Sequence, residues 1–198
     1  NSIRMRATAL ALKGTATLSE TAAAGELGRL LAPSNPLLAG SHGVLFDLGG
    51  PGLLNDNDQK LLNQLYAQWD AKPNEPLLAN EVARQIWQIV DYALTNVYTG
   101  TTSIVVVGGD GVVPFYRTPD ETPTANESLY LSQLGRTGEP ATALEGAFYH
   151  HFVLTDNFYA DRRPTAWRGR ALYVPDLGIG RLVERPSDIV SYLRGYLS

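Results

Sequence analysis

The sequence predicts an α/β fold, with a mostly parallel sheet and helices on both of its faces. Three observations carry this expectation. Ile104-Val105-Val106-Val107 is a continuous β-branched run without polar alternation, the pattern of a strand covered on both faces in a parallel sheet. Ahead of it, residues 78–98 place Val82, Ile86, Ile89, Val90, Ala93 and Val97 on one helical face, with Glu81, Arg84, Gln85 and Gln88 largely on the other. The order strand, helix, helix, strand across residues 43–107 is then that of an α/β protein. A chain of 198 residues, 44% hydrophobic and 18% charged, has enough apolar side chain for a sizeable core.

Taken in order, residues 1–40 are rich in Ala, Leu, Thr and Gly and read as an N-terminal extension or the remnant of a preceding domain. Within them Ile3, Met5, Ala7 and Ala9 alternate with Arg4, Arg6 and Thr8, a weak strand pattern. Residues 41–198 form the main domain. Gly43-Val44-Leu45-Phe46-Asp47-Leu48 is a short apolar run closed by Gly49-Gly50-Pro51-Gly52, which predicts a buried strand and a turn. Asn55-Asp56-Asn57-Asp58 offers short polar side chains for a helix start, and Leu61, Leu62, Leu65 and Trp69 follow at helical spacing until Lys72-Pro73-Asn74-Glu75-Pro76 breaks the helix. Past the strand at 104–107, residues 117–146 are rich in Pro, Thr, Glu and Gly and read as a long surface excursion, with a short helix at 128–134. The chain returns through 148–154, crosses a basic loop at Arg162, Arg163, Arg168 and Arg170, and makes a last strand near 177–182. A closing helix opens at Pro186-Ser187-Asp188 and carries Ile189, Val190, Leu193 and Leu197 on one face. Asn1 and this terminal helix suggest that both ends are internal to a longer chain.

Charge and composition remove several function classes. A net charge of -4 and a pI near 5.3 give no basic field for a phosphate backbone, so nucleic acid is not an expected partner. No run of 18 apolar residues is present to span a bilayer. With no cysteine, the chain holds neither a disulfide nor a thiolate nucleophile of its own. Gly108-Gly109-Asp110-Gly111 stands at the carboxyl end of a strand, where open α/β sheets gather ligands. It lacks the spacing of a dinucleotide fingerprint or a P-loop, so no nucleotide is expected. His150 and His151 are adjacent and on a strand would face opposite sides, which disfavours chelation of one metal. A hydrolase built on Ser41 or Ser103 has no G-x-S-x-G elbow behind it. Asp156 and Asp161 fail the EF-hand spacing and read as turn and cap residues or as the edge of a substrate cleft.

Three blocks resemble a known family. They are Ser103-Ile104-Val105-Val106-Val107-Gly108-Gly109-Asp110-Gly111-Val112-Val113-Pro114, Thr155-Asp156-Asn157-Phe158-Tyr159-Ala160-Asp161, and Tyr173-Val174-Pro175-Asp176-Leu177-Gly178-Ile179-Gly180-Arg181-Leu182. Together they resemble the front half of the peptidase domain of the gingipain family, cysteine peptidases with a caspase-like three-layer fold. The resemblance implies that the catalytic Gly-His-Gly and cysteine lie downstream of the Gly-Arg-Leu strand, outside these residues. Gly40-Ser41-His42-Gly43 precedes that strand and is therefore out of order for the role. The resemblance further implies a protein or peptide substrate for the full-length enzyme, an extracellular or cell-envelope location, and a structural Ca2+ held by Asp110, Asp176 and the Val174 carbonyl. Calcium takes six to eight oxygens. Leu172 stands where the family has a further aspartate, and Trp167-Arg168-Gly169-Arg170 replaces its acidic loop. The residues alone also allow Asp110 to cap its turn and Asp176 to pair with Arg181 or Arg170. A non-catalytic caspase-like interaction or cell-surface module is the alternative function, and a flavodoxin-like ligand-binding domain ranks behind it.

Overall fold

The computed structural model describes residues 18–32, 35, 43–48, 54–124, 126–133, 135, 138–183 and 185–197. The strand pattern at residues 3–9, Ser41, His42 and the turn at 49–52 lie outside the described residues. Helices and strands are both present, as α/β composition requires, and they fall into two compact units. One comprises residues 1–55, 107–112 and 182–198, and the other residues 56–106 and 113–181.

In the first unit, α1 (Leu18–Leu30) packs against α7 (Pro186–Leu197). Ile189 and Leu193 supply the buried side of α7 and meet Leu27, Leu30, Leu31 and Leu182. Arg194 in the last turn of α7 pairs with Glu26. Residues 43–47 have no regular structure, and Val44 is exposed while Leu48 is buried. The strand expected at 43–48 is therefore absent. An apolar run needs a paired neighbour to become a strand, and none pairs with it among the described residues.

The second unit is built on α2 (Asp56–Ala71) and α3 (Pro76–Asn96), which pack side by side. Leu62, Tyr66 and Trp69 of α2 are buried, as are Val82, Ala83, Ile86 and Ile89 of α3. Pro76 opens α3 at a position where the missing N–H has no intrahelical partner to lose. Among the described residues the strands form three two-stranded pairs. β1 (Ser103–Val107) lies beside β6 (Gly178–Leu182). The Gly178 amide donates to Thr102 near one end and the Gly108 amide to Leu182 at the other, so this pair runs parallel. β2 (Tyr116–Pro119) pairs antiparallel with β3 (Phe152–Thr155), register Tyr116 opposite Thr155. β4 (Thr165–Trp167) pairs antiparallel with β5 (Arg170–Leu172). β1 was expected to be covered on both faces, yet Val105 is 62% exposed and only Val106 is buried.

Three further elements depart from the sequence reading. The excursion at 117–146 holds α4 (Ser128–Gln133), as expected, but also β2 and the start of α5 (Ala143–Tyr149). A reciprocal capping box starts α5, with Thr142 Oγ1 accepting from the Glu145 amide and the Glu145 carboxylate accepting from the Thr142 amide. The Asp156–Asp161 block winds into one helical turn, α6 (Asn157–Ala160). The basic loop is a hairpin: Arg168 and Gly169 take φ of 48° and 82°, the left-handed pair that a two-residue hairpin turn requires.

Candidate functional site

Parts of the three motif blocks, Val113 and Pro114 of the first, Asp156 to Asp161 of the second and residues 173–181 of the third, meet in the second unit. β3 ends at Thr155, whose Oγ1 accepts from the Asn157 amide and turns the chain into α6. That turn leaves the Asp156 carboxylate free of any helix-capping bond. Arg181, projecting from β6, grips it through two parallel bonds: Nε donates to Oδ2 at 2.8 Å and Nη2 to Oδ1. The Arg181 side chain is 4% exposed and that of Asp156 15%. The same guanidinium donates from Nη1 to the Val113 carbonyl at 2.7 Å and lies over the Phe115 ring at 4.0 Å from its centroid. From α6, the Tyr159 hydroxyl donates to the Pro114 carbonyl at 2.5 Å. Burial, first of all, lifts that hydroxyl well above the ordinary tyrosine range, so it remains a donor.

A second set of bonds clasps residues 160–163 to residues 174–177. Asp161 is buried, and its carboxylate accepts from the amides of Arg163 at 2.8 Å and Val174 at 2.6 Å. The Ala160 carbonyl accepts from the amides of Asp176 and Leu177. Asp176 in turn accepts from the Arg162 amide at 3.0 Å and from Arg163 Nη2 at 3.1 Å. These contacts, the amide first, hold its carboxyl below the usual carboxylate range. The pairing of Asp176 with Arg181 or Arg170 is thus corrected. Arg181 is committed to Asp156 and Arg170 to Glu121, and Asp176 pairs with Arg163 instead.

Of the expected calcium donors, Asp176 and Val174 lie in this unit and Asp110 in the other. Asp110 occupies the turn closed by the Val112 amide bonding to the Gly109 carbonyl. Asp176 fits a cation in part. It is exposed and its donors are hard oxygens, but a guanidinium already neutralises it. Val174 is exposed, with its amide turned to Asp161. Among the described residues, no group of three or more His, Asp or Glu could hold a metal ion. His150 and His151 are exposed and end α5 rather than alternating on a strand, and His151 takes a left-handed φ of 58°.

The pairing of Asp156 with Arg181 was not anticipated from the sequence, nor was the lock on Arg117. Arg117 is 1% exposed, and its amide and carbonyl both bond to the buried Asn80 side chain, at 2.7 and 2.9 Å. A lone arginine in the run Gly178-Ile179-Gly180-Arg181-Leu182 was the available signal for the first, because a charge inside an apolar strand needs a buried partner. Chemically, the cluster orients backbone. Its carboxylates, guanidinium and phenol are bonded to one another or to carbonyls and amides of neighbouring loops. No family model matches the chain, and no curated protein or solved structure matches it either.

Proposed function

We propose that this chain is the scaffold portion of a gingipain-like cysteine endopeptidase, whose nucleophile and base lie outside these residues. One observation carries the reading. The three blocks that resemble that family, separated by up to 68 positions in the chain, bond to one another through Arg181, Asp156 and Tyr159. Blocks that define a family's fold are expected to support one another in space, and a chance likeness has no reason to do so. In the proposed enzyme a histidine deprotonates a cysteine, the thiolate attacks the peptide carbonyl, and backbone amides hold the oxyanion. This chain positions the strands that bear those loops. A mostly parallel, three-layer caspase-like sheet belongs to the same proposal, with the parallel β1–β6 pair as its supporting feature.

Calcium belongs to the same proposal, with Asp176 and the Val174 carbonyl as the expected donors that lie in one unit. For Asp176, binding requires that Arg163 swing away, and that side chain is 84% exposed. The second reading is a non-catalytic interaction or cell-surface module. It is favoured by the mutual engagement of the Asp156, Arg181, Tyr159 and Asp176 side chains, which bond to one another, to Arg163 or to backbone. Fluorogenic peptides carrying Arg, Lys or other residues before the scissile bond separate the two when incubated with the full-length protein. Cleavage abolished by a thiol-alkylating reagent supports the peptidase. A folded, processed protein that cleaves none of them leaves the module.

A further inference from the structure

An open recess of about 240 Å3 lies in the second unit, beside α3 and α6. Its walls are aromatic. Trp87 and Phe158 are 6.1 Å apart between ring centroids, and Tyr173 meets Phe158 edge-on at 5.1 Å. Behind them Tyr116 stacks on Phe158 at 4.0 Å and 7°, so the wall is held rigid from within. Pro164 and Gln88 complete the lining. The Trp87 and Asp161 polar atoms of the wall already have partners. Trp87 Nε1 donates to the Asp161 carbonyl, and the Asp161 carboxylate accepts two backbone amides. Arg84 differs. Its guanidinium lines the recess with its side chain 43% exposed, 5.7 Å from the Tyr116 centroid. Its ion pair with Glu81 is itself exposed, so another anion can share or replace it at little cost.

We propose that this recess binds an aromatic ring that carries a carboxylate one or two carbons away, with the ring against Trp87 and Tyr173 and the carboxylate on Arg84. The volume admits a single ring, and a preformed aromatic wall with one placed charge is how small-ligand sites combine affinity with orientation. Charge complementarity fixes the sign of the ligand, because the exposed formal charge on the lining is a guanidinium. The inference is independent of the peptidase reading. Two sources present this chemistry, a free aromatic acid and the C-terminal aromatic residue of a peptide.

Titration of the 198-residue chain with phenylacetate and with N-acetylphenylalanine, read by calorimetry and tryptophan fluorescence, tests the site. Saturable binding is expected, with a dissociation constant on the order of 1 mM for a ligand of this size. Phenethylamine, which has the same ring and the opposite charge, is expected not to bind. Arg84→Gln, a change at a half-exposed position, is expected to weaken phenylacetate by roughly fivefold or more while leaving the urea unfolding curve unchanged. Tighter binding of N-acetylphenylalanine than of phenylacetate assigns the site to a peptide terminus, and the reverse order assigns it to a free acid. Absence of saturation, equal binding of phenethylamine, or an Arg84→Gln protein of unchanged affinity overturns the proposal.

Discussion

Removing Arg181 tests the interior of the second unit most directly. The side chain is 4% exposed and bonds twice to Asp156 and once to the Val113 carbonyl. Arg181→Met keeps much of the volume but strands the Asp156 carboxylate, 15% exposed, without its countercharge. Breaking one partner of a buried pair costs about 3–5 kcal/mol. Loss of the bond to Val113 falls within that range, since a carbonyl has a second lone pair and access to local relaxation. The double variant Arg181→Met, Asp156→Leu removes both charges together and is expected to recover most of the loss, to within about 2 kcal/mol of the parent, because the desolvation of two ions is relieved at once. By contrast, the Arg84–Glu81 pair is exposed at 43% and 52%, and Glu81→Ala is expected to change stability by less than about 1 kcal/mol. Urea unfolding followed by tryptophan fluorescence suits the measurement, as Trp69, Trp87 and Trp167 all lie in this unit. An Arg181→Met protein within about 1 kcal/mol of the parent refutes the reasoning. Additive single and double variants do so as well, since a coupled pair must show a coupling energy.

Other outcomes follow from the same structure. A Cβ at Gly146 would sit 2.3 Å from the Asn74 carbonyl oxygen and 2.7 Å from its backbone carbons, so Gly146→Ala is expected to lose about 1–3 kcal/mol in urea unfolding despite alanine's better helix propensity. Asn80→Ala removes both bonds to the Arg117 backbone and is expected to cost roughly 2–4 kcal/mol; a thermal melt unchanged from the parent would contradict the lock. The Asp120 carboxyl is held below its ordinary value chiefly by the Thr122 hydroxyl and then the Glu127 amide. Its folded pKa lies below the unfolded one, so its stabilisation is present above about pH 4 and fades as the pH falls through the folded value. Asp120→Asn is therefore expected to flatten the acid limb of a stability profile between about pH 5 and 3, and an unchanged limb rejects that assignment. Excess calcium compared with chelator, on the parent and on Asp176→Ala, is expected to raise the melting temperature of the parent alone, and equal melts in both remove the ion from the proposal.

Periodicity made the long elements legible and failed where single residues or distant partners decide. α2 and α3 were readable because Leu62, Trp69, Val82, Ile86 and Ile89 repeat at helical spacing and are buried in the structure. Even there the face was read imperfectly. Leu61 is 42% exposed while Tyr66, an amphipathic ring, is buried in its place. α5 was passed over although Thr142 and Glu145 carry the capping box, since the Pro, Gly and Thr around them suggested a loop. The β4–β5 hairpin was hidden because Arg168, not a glycine or asparagine, takes the first left-handed position of its turn, and its Trp167 neighbour covers the guanidinium at 5.7 Å. The strand expected at 43–48 shows the opposite error, an apolar run with no neighbour to pair with it among the described residues.

The candidate site illustrates why sequence reading finds blocks more readily than roles. Asp110, Asp176 and Val174 were singled out by a resemblance that ranks positions along a chain, whereas the structure ranks them by what they touch. Asp176 is engaged by Arg162 and Arg163, two and three residues past Ala160, whose carbonyl holds the Asp176 amide. That closed loop of bonds is local and partly exposed, so it organises a turn more than it stores energy. Asp156, which the sequence offered only as a turn residue or cleft edge, instead holds a buried guanidinium that reaches the Val113 carbonyl. A cap would have tied Asp156 to its own helix. Because the capping bond is not made, the carboxylate is available to a strand 25 residues later, and that exchange of a local bond for a distant one joins the three blocks.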